Sequence, residues 1–177
     1  MQDLLVAPAR CGKTHLIAID GRAGAGKTTL ANELFLSLSL VRTVSVIHTD
    51  EIYAGWELAL GESLTETLFQ LLNDLSNEKT HQLPIYDWRT KAFESHRLIP
   101  PCDLIIIEGV GSAQAVVRAY AMATIWLDID SPHGLERVLE RDGPSIEREM
   151  HQWQIDEDRL FLRDQTRESA DFIFSTL

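Results

Sequence analysis

Gly21-Arg22-Ala23-Gly24-Ala25-Gly26-Lys27-Thr28 carries its glycines and its Lys-Thr pair at the spacing G-x-x-x-x-G-K-[ST]. Glycines at those positions let the backbone turn tightly enough for successive N–H groups to converge on phosphate oxygens. A helix opening at the end of the loop adds its partial positive charge. Lys27 would face the β- and γ-phosphates of a nucleoside triphosphate, and the Thr28 hydroxyl would ligate Mg²⁺. Gly21 to Thr29, with Ala23, Gly24, Ala25 and Gly26 between, is thus the candidate site for ATP and Mg²⁺. The flanks support it, since Leu16-Ile17-Ala18-Ile19 reads as a strand and Thr29 to Leu34 as a helix. A second Gly-Lys-Thr at residues 12–14 lacks the first glycine of the pattern and precedes a strand, so its amides would not converge. Lys13 reads as a solvated surface charge.

Three further groups have types and positions suited to phosphoryl transfer. Asp50, in His48-Thr49-Asp50-Glu51-Ile52-Tyr53, follows the second apolar run. At the carboxyl end of that strand a carboxylate could accept the proton of an attacking hydroxyl, the reading this location favours, although Asp is also suited to cap a helix there. Glu108 ends the run Leu104 to Ile107, where it could hold Mg²⁺ directly or through water, or form a buried ion pair. Arg137 and Arg141 lie four apart on one helix pattern, and Arg148 follows Gly143-Pro144. On a closing segment over 137–150 they would neutralise the transferred group; among Glu136, Glu140, Asp142 and Glu147 they would also serve as exposed ion pairs. Trp56, with Tyr53, puts aromatic surface near Asp50 that could stack on an acceptor or pack beneath a helix.

These groups need a scaffold, and the chain alternates short apolar runs with helical patterns. The runs are Leu16–Ile19, Val44–Ile47, Leu104–Ile107, Thr124–Leu127 and Phe172–Phe174. The first and third are apolar throughout, as strands covered on both faces are. Leu64, Leu68, Leu71, Leu72 and Leu75 fall on one helical face. Ser131-Pro132 reads as a cap and first turn of a helix through Arg141, and 146–167 as a long charged helix with a break. Residues 76–103, with Pro84, Pro100 and Pro101, are the least regular stretch and read as a substrate-side insertion. The expected fold is α/β: a single three-layer α/β/α P-loop NTPase domain over 1–177, on a five-stranded, mostly parallel sheet.

At 177 residues the chain is long enough to bury roughly 70% of its unfolded surface without staples. A composition of 45% hydrophobic and 24% charged residues excludes disorder and collagen-like repeats. Sixteen Lys and Arg against 27 Asp and Glu give a net charge of −11, a surface that repels nucleic-acid backbones but still admits a small anion into a local positive pocket. Cys11 and Cys102 have no short-spaced partner and read as reduced thiols, and the six histidines form no metal-binding cluster. The N-terminal residues lack a basic stretch followed by a long apolar one, and no apolar run approaches a membrane span, so a cytoplasmic location is expected. No Asn-Lys-x-Asp tetrapeptide is present, which disfavours a GTPase.

In order along the chain these motifs resemble the uridine kinase family of P-loop nucleoside and nucleotide kinases. Ile19 through Thr29 resembles its opening strand and phosphate loop, and His48 to Tyr53 its second-strand motif, whose base aspartate maps to Asp50. Tyr86-Asp87-Trp88 is similar to its Tyr-Asp-Phe substrate motif, and Ile106 to Gly109 to its Glu-Gly strand end. Arg137 to Asp142 resembles the arginine-rich lid, and Ala170 to Ile173 the closing Ala-Asp strand. The family's substrate motif continues with His and Arg where this chain has Lys91 and Phe93. The resemblance implies that Tyr86, Asp87, Trp88 and Lys91 contact the acceptor. The expected function is ATP-dependent phosphorylation of a hydroxyl on a small, nucleoside-like metabolite. A kinase of a sugar acid, antibiotic or other alcohol, and a nucleotide-dependent switch, are the alternatives.

Overall fold

The computed structural model describes residues 8–176; the N-terminal residues read for a leader, and Ala7, which stands where the second Gly-Lys-Thr would need its first glycine, fall outside them. In chain order the elements are β1 (His15–Gly21), α1 (Lys27–Leu38), β2 (Val44–His48), α2 (Gly55–Leu58), α3 (Glu62–Ser76), β3 (His81–Asp87), β4 (Ala92–Ile99) and β5 (Leu104–Glu108). There follow α4 (Ala115–Arg118), β6 (Ala123–Asp128), α5 (Ser131–Asp142), α6 (Glu147–Asp164) and β7 (Phe172–Ser175). Five strands form one sheet in the order β2-β5-β1-β6-β7, with every neighbouring pair parallel. All five apolar runs are strands of this sheet, and the expected α/β architecture is the one found.

The central strands alternate between two cores, as a period of two requires. Leu16 and Ala18 of β1, with Ile105 and Ile107 of β5, face a core shared with α3, α4 and α6. Ile17, Ile19, Leu104 and Ile106 face the opposite way, onto Ala31, Leu30, Leu34 and Leu38 of α1. The five α3 leucines are all buried, each contributing about 2 kcal/mol. α6 runs unbroken for 18 residues, against the break expected within 146–167. Met150, Trp153, Leu160 and Phe161 supply an apolar stripe that charged neighbours obscure in the sequence. The cap of α5 is Asp130, whose carboxylate accepts the His133 N–H, one residue earlier than the Ser131 expected.

Residues 76–103 hold more order than their composition indicates. β3 and β4 form an antiparallel hairpin outside the main sheet. Pro84 lacks a ladder donor and β4 is largely exposed, so neither apolar alternation nor strand propensity marks the pair. Arg97 of β4 reaches Glu51 at 2.9 Å and the Val46 carbonyl at 3.2 Å, tying the hairpin to the turn after β2. No helix among the described residues is long and apolar enough to cross a membrane.

Candidate functional site

Register sets the site. His48 and Ile19 both lie opposite Glu108, so β2, β5 and β1 end at one level, on the carboxyl edge of the sheet. The loop from Gly21 to Gly26 leaves β1 at this edge and enters α1. Gly24 and Gly26 take left-handed backbone conformations, φ 81° and 87°. A Cβ at Gly24 would stand 2.3 Å from the Gly134 carbonyl oxygen, so the loop can pass this close to α5 only as glycine. α1 has no side-chain cap and no acidic residue in its first turn. Its first amides therefore remain available to an anion.

Lys27 is buried, its Nζ donating to the carbonyls of Gly21 at 2.8 Å and Arg22 at 2.7 Å. Burial pulls its pKa below the ordinary lysine value, while the carboxylates of Glu157, Asp20 and Glu108 act to keep it protonated. The Thr28 hydroxyl donates to Glu108 Oε1 at 2.9 Å. Both groups proposed as Mg²⁺ ligands thus converge, and hard hydroxyl and carboxylate oxygens suit that ion. Glu108 is buried and also pairs with His48 Nδ1 at 2.5 Å, a contact that raises the His48 pKa despite its partial burial.

Asp50 sits in a 3-10 turn, Thr49–Glu51, directly after β2. Its side chain reaches solvent, yet surrounding protein and the Glu108 charge push its carboxyl above the ordinary value. Asp50, Lys27, Thr28 and Glu108 line one cavity of about 260 Å³. Tyr53, Trp56, Trp88 and Trp153 build its aromatic wall, and Arg141 with Asp142 stands on the α5 side. Tyr53 is buried, donating its hydroxyl to the Val110 carbonyl at 2.8 Å. The Trp88 indole N–H donates to the Asp50 carbonyl at 3.0 Å, so the hairpin seats directly on the Asp50 turn.

Other residues singled out in the sequence lie elsewhere. Arg137 donates to the Thr176 carbonyl at 2.7 Å and lines a separate hollow with Ala25, Gly26, Thr29 and Phe174. Tyr86 packs edge to face on Trp88 and Phe93, behind the cavity wall. Asp87 pairs with Arg89 at 3.1 Å, and Lys91 occupies the hairpin turn with φ 56°. The structure brings none of Tyr86, Asp87 and Lys91 to the cavity, because the hairpin turns its tip outward. Arg148 is exposed in the first turn of α6. Lys13 is exposed and pairs with Glu78.

Three groups escaped the sequence reading. Asp20, fully buried, accepts N–H bonds from Gly21, Gly111 and Ala113 and so fastens the phosphate loop to the segment after β5. Burial raises its pKa to about 6 against those bonds. Glu157 on α6 is buried, accepting from the Ala23 N–H at 2.7 Å and the Trp153 indole at 2.8 Å. It looks in sequence like every other acid on that helix. His48 was legible in principle, since parallel register sets it beside Glu108.

No family model matches the chain. A curated uridine kinase of Staphylococcus aureus is 28% identical over 151 residues, covering 77% of this chain and 72% of that one. Among solved structures, one described as a possible uridine kinase from Bacillus stearothermophilus superposes with a TM-score of 0.62 at 24% identity, covering 98% of both chains. A proposed fructose transport system kinase from Silicibacter sp. TM1040 gives 0.68 at 21%, covering 95% of this chain and 91% of that one. The chain is thus similar in sequence to curated uridine kinases and shares its α/β fold with these two solved structures.

Proposed function

We propose that this protein is an ATP-dependent kinase that transfers the γ-phosphoryl group to a hydroxyl of a small metabolite. One observation carries the reading: Lys27 and Thr28 of the phosphate loop share a cavity with Asp50 and Glu108. The uncapped amides of α1 and the loop would hold the donor phosphates, with Lys27 supplying positive charge beside them. Thr28 and Glu108 would hold Mg²⁺, which supplies charge neutralisation to the donor phosphates when bound. Asp50 would orient the acceptor hydroxyl and take its proton, and its raised pKa moves it toward the range where a base works best.

Arg141 would face the transferred group from α5, with 137–150 acting as a lid pivoting at Gly143, which has φ 90°. Arg137, in its separate hollow with Phe174, fits the base of the donor nucleotide better than the reacting phosphate. The curated relatives named uridine kinase make a nucleoside one candidate acceptor, and the protein would act in the cytoplasm. The test is Lys27→Ala beside Lys13→Ala. Calorimetry should show Mg·ATP binding strongly weakened and ADP release abolished in the first, with the second close to wild type. Equal losses in the two variants would assign the phosphates to the wrong loop.

A further inference from the structure

The acceptor half of the cavity restricts what can be phosphorylated, if the kinase reading above holds. Trp56 lies 5.5 Å from Trp88 at an interplanar angle of 64° and 5.7 Å from Trp153 at 86°. Rings at those spacings touch edge to face, leaving no room for an ammonium group between them. The indoles form a continuous wall, not a cage for a cation. Trp56 and Trp88 remain 37% and 38% exposed, so this wall has open surface for an apolar ligand face.

Hydrogen bonding separates the ligands that could use it. A pyrimidine base presents carbonyl oxygens that require donors. Here the Trp88 and Trp153 indoles are committed to the Asp50 carbonyl and to Glu157, and the Tyr53 hydroxyl to the Val110 carbonyl. Arg141 spends two N–H groups on Asp142, at 2.8 and 2.7 Å. The Trp56 indole N–H and the remaining Arg141 N–H groups have no hydrogen-bond partner among the described residues, and beside them stand two acceptors, the carboxylates of Asp50 and Asp142. A hydroxyl both donates and accepts, so a polyol meets donors and carboxylates alike, whereas the carbonyl oxygens of a pyrimidine base only accept and leave the two carboxylates unmatched.

We propose that the phosphate acceptor is a free sugar or sugar alcohol, its C–H face on the Trp56–Trp88 wall and its hydroxyls toward Asp50 and Asp142. The attacking hydroxyl loses its proton to Asp50. Its oxygen bonds the γ-phosphorus as the bond from that phosphorus to the β,γ-bridging oxygen breaks, giving a sugar phosphate ester and ADP.

The experiment measures Mg·ATP-dependent ADP release with aldopentoses, aldohexoses, ketohexoses and their sugar alcohols, beside uridine, cytidine and choline. At least one sugar should stimulate release above the acceptor-free rate, with a higher kcat/KM than any of the last three. Trp56→Ala and Trp88→Ala should each raise KM for that sugar about tenfold. Both side chains are partly exposed, so the folded state should persist, with Mg·ATP affinity by calorimetry unchanged. Preference for uridine, cytidine or choline overturns the sugar assignment and leaves the kinase reading standing. Mg·ATP binding with no sugar-stimulated release also overturns it. Absence of Mg·ATP binding by the wild-type chain overturns the kinase reading itself.

Discussion

Asp50 and Lys27 share a cavity but meet opposite demands. Lys27 must keep a positive charge in a buried place, and three carboxylates oppose the desolvation that would strip it. Asp50 must lose its proton yet remain basic enough to accept another, and the surrounding protein, with the nearby Glu108 charge, raises its pKa in that direction. Asn at position 50 keeps the shape and the turn but removes the base. Asp50→Asn should therefore leave Mg·ATP affinity intact and reduce acceptor-dependent turnover about 10²–10⁴-fold. Steady-state kinetics with calorimetry checks both halves, and full turnover in the variant would take Asp50 out of the chemistry. Glu51 would not replace it, since its carboxylate is engaged with Arg97.

Between elements, the site depends on how closely the segment after β5 approaches the turn after β2. Gly109, at φ 129°, makes that approach, and a Cβ there would stand 1.8 Å from the Thr49 hydroxyl. Thr49 is buried beside Tyr53 and next to Asp50 in the same 3-10 turn. Gly109→Ala combines a disfavoured backbone with an overpacked neighbour and should cost about 2–4 kcal/mol in urea unfolding. Because the displaced turn carries Asp50, turnover should fall further than nucleotide affinity. The hairpin contributes from the other side, since Arg97 through Glu51 and Trp88 through the Asp50 carbonyl hold the same turn.

Across the whole molecule, nucleotide binding should stabilise the fold, because the phosphate loop, β5 and α6 are linked through Asp20, Glu108 and Glu157. A ligand bound only by the folded state at a hundred times its Kd adds about 2.7 kcal/mol. Mg·ATP at that level should raise Tm by several degrees, and EDTA should remove most of the gain; thermal melts with and without chelator measure it. The amino-acid sequence determined the phosphate loop, the five strands, the α3 face and the position of Asp50, since each is local chemistry or a local period. It left the β3–β4 hairpin unmarked, because Pro84 and a polar strand carry no alternating signal. Only tertiary structure decided that Arg141 faces the cavity while Arg137 faces a separate hollow, although one helical turn separates them. Only it decided that Glu157 is the buried acid of α6, and that Tyr86, Asp87 and Lys91 stand away from the site. Periodicity specifies which face of an element is apolar, but where a polar side chain ends depends on what the rest of the chain packs against it.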